Sequence, residues 1–132
     1  MSELAGSVSF EEAAQLLWRG TLPSSTERAT LRKEVAALRV LPEETMRVVR
    51  AGAAARAAPI DTLRMACATL SLDLDNPDDI SPAADLHAAK MLTARFPTVV
   101  AAHARLSAGQ EPIAPRTDLS RAANFLYMVH GK

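Results

Sequence analysis

One uninterrupted stretch of helical periodicity, from Ser81 to Leu106, limits what this chain can fold into. Ser81 followed by Pro82 is a strong start signal, because serine caps the free amides of a first turn and proline fits within that turn. The stretch predicts a helix about 40 Å long, which exceeds what a small globular domain needs. Pro97 lies inside it and is expected to kink it, because proline removes one backbone hydrogen bond. An all-α fold follows from this helix and the segments around it.

Five further helices are predicted along the rest of the chain. Ser9 and Ser24 each stand three residues before a glutamate, the pattern of a capping box. The predicted starts are, in chain order, Ser9, Ser24, Pro42, Pro59, and Thr117 or Asp118. The first three helices are expected to end at Gly20, about Arg39 and Gly52. The alanine-rich residues 51–58 either continue the third helix or form a linker.

Neither strands nor repeats are indicated. No stretch shows the period-two, β-branched pattern of a strand, and no segment recurs at a fixed period. The sequence therefore predicts an all-α fold of about six helices, forming a single helical region over residues 1–132.

The balance of charges argues against two classes of binding partner, and the composition indicates how the core is filled. Fifteen lysines and arginines balance fifteen aspartates and glutamates, so neither a nucleic acid nor a membrane is an expected partner. Apolar residues make up 48% of the chain but aromatic residues only 4%, so alanine and leucine must fill a core in which helices approach closely. A lone cysteine, the lack of a targeting pattern and the lack of a long apolar stretch together predict a cytoplasmic location.

The chain offers no pattern typical of a metal site. His87 and His103 are sixteen residues apart on one predicted helix, which places them about 24 Å apart and on nearly opposite faces. HExxH and CxxC spacings are absent. The acidic residues 73–79 resemble a calcium loop in composition only, because Pro77 and Asp78 stand where an EF-hand needs a ligand and a glycine. A solvated turn is the favoured interpretation.

Patterns for nucleophiles and phosphate loops are missing as well. Cys67 lies on the apolar face of a predicted helix, where a thiol is usually a small hydrophobe. The GxSxG motif is absent and the five glycines are scattered singly. Five arginines could hold carboxylates, although most arginines at helical spacing only line a solvated surface: Arg64, Arg95, Arg105, Arg116 and Arg121. The sequence therefore predicts no catalytic residue, no cofactor-binding residue and no metal ligand in this chain.

Several segments, read in order, resemble the large-domain core of citrate synthases. In the second half these are residues 59–66, 95–103 and 118–131, of which Ala-Asn-Phe-Leu-Tyr-Met at 123–128 is the most specific. The first half follows the same family's order and approximate spacing at residues 3–5, 9–14, 16–17, 20–23 and 41–44. The resemblance covers nearly the whole chain.

The resemblance implies a pairing role for two of the predicted helices. The helix that starts at Pro59 and the long helix would belong to the antiparallel helix sandwich through which two citrate synthase subunits pair. Small side chains suit such close packing. The candidate subunit-interface residues are Leu63, Ala66, Cys67, Leu70, Ala101 and Ala102. The expected partner is a second copy or the remainder of a citrate synthase subunit.

The resemblance also says what chemistry the complete enzyme would perform. Citrate synthases condense oxaloacetate with acetyl-CoA: an aspartate and a histidine generate the enol of the thioester, and other histidines and arginines hold the oxaloacetate. The motifs that carry those residues belong after Lys132, so none maps onto this chain, and it is expected to bind neither substrate by itself.

Several residues differ from the family pattern, and these differences concern whether the chain corresponds to a complete family member. Ala58 replaces a usual histidine, Gly131-Lys132 stands where Gly-Glu-x-Pro is usual, and the Arg-Gly-Tyr segment upstream of Glu3 is lacking. Both ends are therefore expected to be cuts within a longer homologue. The leading hypothesis is the amino-terminal portion of a citrate-synthase-like acyltransferase, catalytically incomplete alone. The alternative is a non-enzymatic helical module that pairs with itself or with a full-length synthase.

Overall fold

The prediction of an all-α fold with about six helices is confirmed by a computed structural model that describes residues 7–132. Residues 3–5, which contribute to the resemblance, lie outside the described residues. The described part contains six α-helices, one 3-10 helix and no strand. The elements are α1 (Phe10–Arg19), α2 (Ser25–Ala37), α3 (Glu43–Ala54), α4 (Pro59–Thr69), the 3-10 helix (Leu70–Asp73), α5 (Pro82–Ser107) and α6 (Arg121–His130).

The two predicted capping boxes start α1 and α2. The Ser9 amide donates to Glu12 Oε2 at 2.6 Å, and the Glu12 amide donates to Ser9 Oγ at 3.3 Å. Ser24 and Glu27 make the same reciprocal pair, at 2.8 and 3.3 Å. The serine backbone amides, helped by the serine hydroxyls, hold the pKa of Glu12 and the pKa of Glu27 below their usual range. Both helices therefore begin where the sequence predicted.

The middle of the chain resolves the open question about residues 51–58. Helix α3 continues through the predicted end at Gly52 to Ala54, and a tight turn follows in which Arg56 takes the left-handed conformation with φ 54°. Pro42 caps this helix from outside, and Pro59 occupies the first turn of α4 as predicted. The alanine-rich stretch is thus one helical turn followed by a corner.

The predicted start of the last helix is wrong. Ser120, and neither Thr117 nor Asp118, caps α6 by accepting a hydrogen bond from the Ala123 amide at 3.3 Å. The Asp118 carboxylate is engaged elsewhere, because it accepts two hydrogen bonds from the Arg116 guanidinium. This pairing lowers the pKa of Asp118 and leaves the cap to Ser120.

Helix α5 is the centre of the fold. Its 26 residues start at the Ser81 cap, as predicted, and pack against α2, α3, α4 and α6. One buried cluster joins α5 to α3 and α4 through Val49, Ala66, Val99 and Ala102, and another joins it to α2 through Leu31, Val35 and Ala94. Pro97 lies inside α5, and the kink it should cause stays a prediction.

Candidate functional site

Helices α3 and α4 approach each other closely at Gly52. A methyl group built on Gly52 would overlap the hydroxyl oxygen of Thr62 and lie 3.0 Å from its Cγ2. Thr45 and Thr69 share a hydrogen bond of 2.9 Å at the other end of the same contact. We call this contact, together with the Val49, Ala66, Val99 and Ala102 cluster of α3, α4 and α5, the α3–α4–α5 seam. Small residues allow its helices to approach closely, as composition predicted.

Of the six candidate interface residues, Ala66 and Ala102 belong to this seam. Ala66, Leu70, Ala101 and Ala102 are 0, 1, 1 and 4% exposed, so they fill the core of their own chain. Leu63 and Cys67 are half-buried, and Leu63 packs against the seam. The exposed side chains of α4 include Ile60 and Met65. A subunit contact at the six residues stays a prediction.

The three histidines and the cysteine differ in burial. His87 and His130 are exposed, whereas His103 is 5% exposed and its Nε2 has no hydrogen-bond partner within residues 7–132. Cys67 is a half-buried free thiol on α4. The described residues contain no group of histidine, cysteine, aspartate or glutamate side chains that could hold a metal ion. None of their helices is long and apolar enough to cross a membrane.

Two buried arginines are structural anchors, and the sequence singled out only one of them. Arg95 Nε donates to the carbonyl oxygens of Leu38 and Val40 at 3.3 and 3.2 Å, and its Nη2 pairs with Asp73. Arg39, which sequence reasoning missed, is 4% exposed, and burial lowers its pKa. Its Nη1 donates to two backbone carbonyl oxygens, those of Arg116 and Leu119. Arg95 thereby ties α5 to the end of α2, and Arg39 ties the 109–120 loop to it.

The other arginines proposed as anion ligands also have partners inside the chain. Arg64 pairs with Asp61 and Arg116 with Asp118. Arg105 donates to the carbonyl oxygens of Glu111 and Val129 at 2.6 and 3.1 Å. These contacts position loops and helix ends, and they do not converge on a shared anion site.

A cleft of about 520 Å³ opens between the start of α1, the middle of α5 and the start of α6. Its walls are almost entirely apolar and include all three phenylalanines of the chain. The lining residues are Phe10, Phe96, Pro97, Val100, Arg121, Ala122 and Phe125. Phe10 is 49% exposed and Ala122 is exposed. We call this surface the phenylalanine cleft; no short sequence motif marks it.

Arg121 is the one cation in the lining of the phenylalanine cleft. Its guanidinium carbon lies 3.9 Å from the centroid of the Phe10 ring, within the range of a cation–π contact. Within residues 7–132 its Nη1 is buried and has no hydrogen-bond partner. Burial lowers the pKa of Arg121 and Arg39 adds to that effect, whereas Glu11 opposes it. The cleft therefore joins an apolar surface to a partly desolvated positive charge.

Comparison with known proteins identifies the family. The family model described as "Citrate synthase, C-terminal domain" matches residues 1–132. The chain is 36% identical to the citrate synthase of Haloferax volcanii, covering 100% of this chain and 36% of that protein. It is 33% identical to citrate synthase 2 of Bacillus subtilis, again covering 100% of this chain and 36% of that protein.

A solved structure agrees with these matches. The citrate synthase of Pyrobaculum aerophilum superposes with a TM-score of 0.86 at 32% identity, covering 99% of this chain and 35% of that one. The chain thus spans about a third of the length of the relatives it matches. A match along every residue, together with the same helical fold, establishes that the chain belongs to the citrate synthase family.

Proposed function

We propose that this chain is the amino-terminal portion of a citrate-synthase-type acyltransferase and is catalytically incomplete alone. One observation carries the proposal: the family matches all 132 residues, and those residues span only about a third of the relatives' length. The complete enzyme would condense oxaloacetate with acetyl-CoA or a related acyl-CoA. This chain would supply helices of the large domain, and residues outside it would supply the catalytic histidine and aspartate.

The contacts of the buried arginines support a scaffold role. Arg39 and Arg95 hold loops and helix ends through backbone carbonyl oxygens, which fixes the relative positions of α2, α5 and α6. Burying a guanidinium costs free energy unless its donors are satisfied, so such residues favour one arrangement of the helices. A rigid helical frame is what residues from elsewhere in a subunit would need in order to form a site.

Subunit pairing and location belong to the same proposal. We place the contact with a second copy or with the remainder of a subunit on α4 and α5, where Ile60 and Met65 remain 55 and 45% exposed. Large apolar side chains exposed on one helix favour a contact with another protein. The lone thiol of Cys67 suits a reducing compartment, which supports the cytoplasm as the location.

The second candidate function is a helical pairing module without enzymatic activity. The phenylalanine cleft favours it, because an exposed apolar surface of this kind is typical of a protein-binding site. On this alternative the chain would bind a full-length synthase or itself, and no acyl transfer would depend on it.

Turnover assays separate the two candidates. Formation of citrate and 2-methylcitrate would be measured with oxaloacetate and acetyl-CoA or propionyl-CoA, first for the isolated chain. The second sample is a chimera in which this chain replaces the matching third of Bacillus subtilis citrate synthase 2. We expect no turnover from the isolated chain and measurable turnover from the chimera. Robust turnover by the isolated chain would contradict the incompleteness, and a folded but inactive chimera would favour the pairing module.

A further inference from the structure

The phenylalanine cleft differs from the other side of α5 in being unfilled. On the seam side Val99 and Ala102 are 1 and 4% exposed. On the cleft side Phe96, Pro97 and Val100 are only half-buried and face a volume of about 520 Å³. Apolar surface left open to water is costly, and a contact that covers it gains free energy in proportion to the area removed from water. A segment that covers the cleft would therefore stabilise the protein.

The positive charge of Arg121 indicates which side chains the covering segment should carry. Arg121 is the one charged residue in the lining, its guanidinium lies against the Phe10 ring, and its Nη1 has no hydrogen-bond partner in the described residues. A guanidinium in a partly desolvated site is best satisfied by a carboxylate, which can accept two hydrogen bonds from it. The complementary surface is an apolar helix face with one acidic side chain at its edge.

A second copy of this chain does not fit that description. In a two-fold symmetric dimer each copy presents the same patch to the other, and the lining of this patch contains one cation and no carboxylate. Arg121 would therefore find no acidic partner in the cleft of a second copy. The remaining portion of a citrate synthase subunit is the better occupant, because the relatives are about three times as long as this chain and share its fold where they match.

We infer that the phenylalanine cleft is the docking site for an apolar helix that carries an acidic residue, supplied by the portion of a citrate-synthase-type subunit that this chain does not contain. The inference rests on the proposed function and names the surface at which the two portions meet. Apolar side chains of the docked helix fill the space between Phe96, Pro97 and Phe125, and its carboxylate pairs with Arg121.

A matched pair of substitutions on α6 tests this inference. Ala122 lines the cleft, whereas its neighbour Ala123 is also exposed but does not. Ala122→Glu and Ala123→Glu add the same charge to the first turn of α6, where a carboxylate is tolerated. Thermal unfolding is measured for each variant in the isolated chain and in the Bacillus subtilis chimera. We expect Ala122→Glu to leave the isolated chain nearly unchanged, and Ala123→Glu to leave it unchanged or slightly more stable, because Ser120 and a glutamate at position 123 would form a capping box. Relative to the isolated chain, only Ala122→Glu should lower the unfolding midpoint of the chimera.

The charge is tested in the same pair of proteins. Arg121→Gln removes the cation and keeps a hydrogen-bonding side chain, so it should weaken docking less than Ala122→Glu does. When the two portions are co-expressed as separate chains, Ala122→Glu should reduce capture of this chain by about a hundredfold or more, and Arg121→Gln by about tenfold. Capture that is equal for Ala122→Glu and Ala123→Glu, or no capture of the unsubstituted chain at all, would overturn the inference.

The remaining outcomes separate this inference from the proposed function. A chimera that forms citrate but responds equally to Ala122→Glu and Ala123→Glu would sink the docking site and leave the function standing. A folded chimera that is destabilised only by Ala122→Glu but forms no citrate would contradict the proposed function and leave the docking site standing. A dimer of the isolated chain that Ala122→Glu dissociates would show that a second copy occupies the cleft, and it would overturn the inference. Sedimentation velocity measures that state.

Discussion

Helix α5 takes part in both the seam and the phenylalanine cleft, but the seam is packed and the cleft is open to water. At the seam α3 and α4 approach so closely that Gly52 has no room for a side chain, and Val49 and Ala66 are completely buried. At the cleft between α1, α5 and α6 a volume of about 520 Å³ is open, and Phe10 remains 49% exposed. Helix α5 therefore has a packed contact on one side and an open cleft on the other.

This difference separates what the chain stabilises by itself from what it leaves for another segment. A packed seam contributes to stability in the isolated chain, because its apolar surface is already removed from water. An open cleft contributes little until it is covered. Substitutions at the seam should therefore act on the isolated chain, and substitutions at the cleft should act mainly in a larger assembly.

The largest expected effect is at Leu70, a residue that the resemblance assigned to the subunit interface. Leu70 is 1% exposed, so Leu70→Ala should reduce the free energy of unfolding of the isolated chain by about 2 to 5 kcal/mol. Leu72 follows two residues later and is 72% exposed, so Leu72→Ala should change it by less than about 0.5 kcal/mol. Urea denaturation measures both. Equal losses for the two variants would mean that Leu70 is not part of the core of this chain.

The next effect concerns the close approach of α3 and α4. Gly52→Ala adds a methyl group that overlaps Thr62, at a typical cost of about 1 to 3 kcal/mol, while alanine regains about 1 kcal/mol of helix propensity. We expect a net loss of up to about 2 kcal/mol by urea denaturation.

Thr62→Ala provides the control for this overlap, because it removes the hydroxyl and methyl groups that the new Cβ meets. In the Thr62→Ala background Gly52→Ala should be nearly neutral or stabilising, which a double-mutant cycle would detect as a coupling. If Gly52→Ala were equally harmful in both backgrounds, another cause than the overlap with Thr62 would be required.

The helix starts were predictable where local chemistry decides them. Ser9 and Ser24 were found because a glutamate three residues later marks a capping box, and both boxes are formed. Ser120 was missed because Ala123 follows it in place of a glutamate, so Thr117 and Asp118 looked equally suitable. The competing pairing of Asp118 with Arg116 depends on side-chain positions that a linear pattern does not contain.

The two surfaces were less predictable, for a physical reason. Apolar periodicity shows that a helix has a face to bury, but not whether its own chain or another chain covers that face. The resemblance assigned Leu70 and Ala101 to a subunit interface, and the structure shows that their own chain buries both, so a contact of these residues with another chain stays a prediction. The phenylalanine cleft combines α1 with α6, from opposite ends of the described chain, so only the tertiary structure brings Phe10 to Arg121.

A smaller effect is expected from the contact between Phe10 and Arg121. Phe10→Leu keeps an apolar side chain but removes the aromatic ring under the guanidinium, which should cost about 0.5 to 1 kcal/mol. In an Arg121→Gln background the same substitution should cost less, because the cation is already absent. Thermal unfolding of the two single variants and the double variant gives the coupling. Strict additivity would indicate that the ring and the cation do not interact.

The smallest effect, which depends on pH, comes from the capping boxes that start α1 and α2. The folded-state pKa of Glu12 and that of Glu27 lie below the ordinary value of 4.5. Each carboxylate therefore contributes stability above about pH 4.5, and the contribution disappears as the pH falls through the lower folded-state pKa. We expect the urea midpoint of the isolated chain to decrease over that acid range.

Substitution by glutamine isolates the contribution of these two carboxylates. Glutamine can still accept a hydrogen bond from the serine amide but cannot titrate, so Glu12→Gln and Glu27→Gln together should flatten the decrease in the urea midpoint below pH 4.5. Asp75→Asn removes an exposed carboxylate that belongs to neither box and should leave the slope nearly unchanged. A decrease that both sets of variants reduce equally would point to general charge repulsion in acid, and the capping boxes would then contribute no special pH dependence.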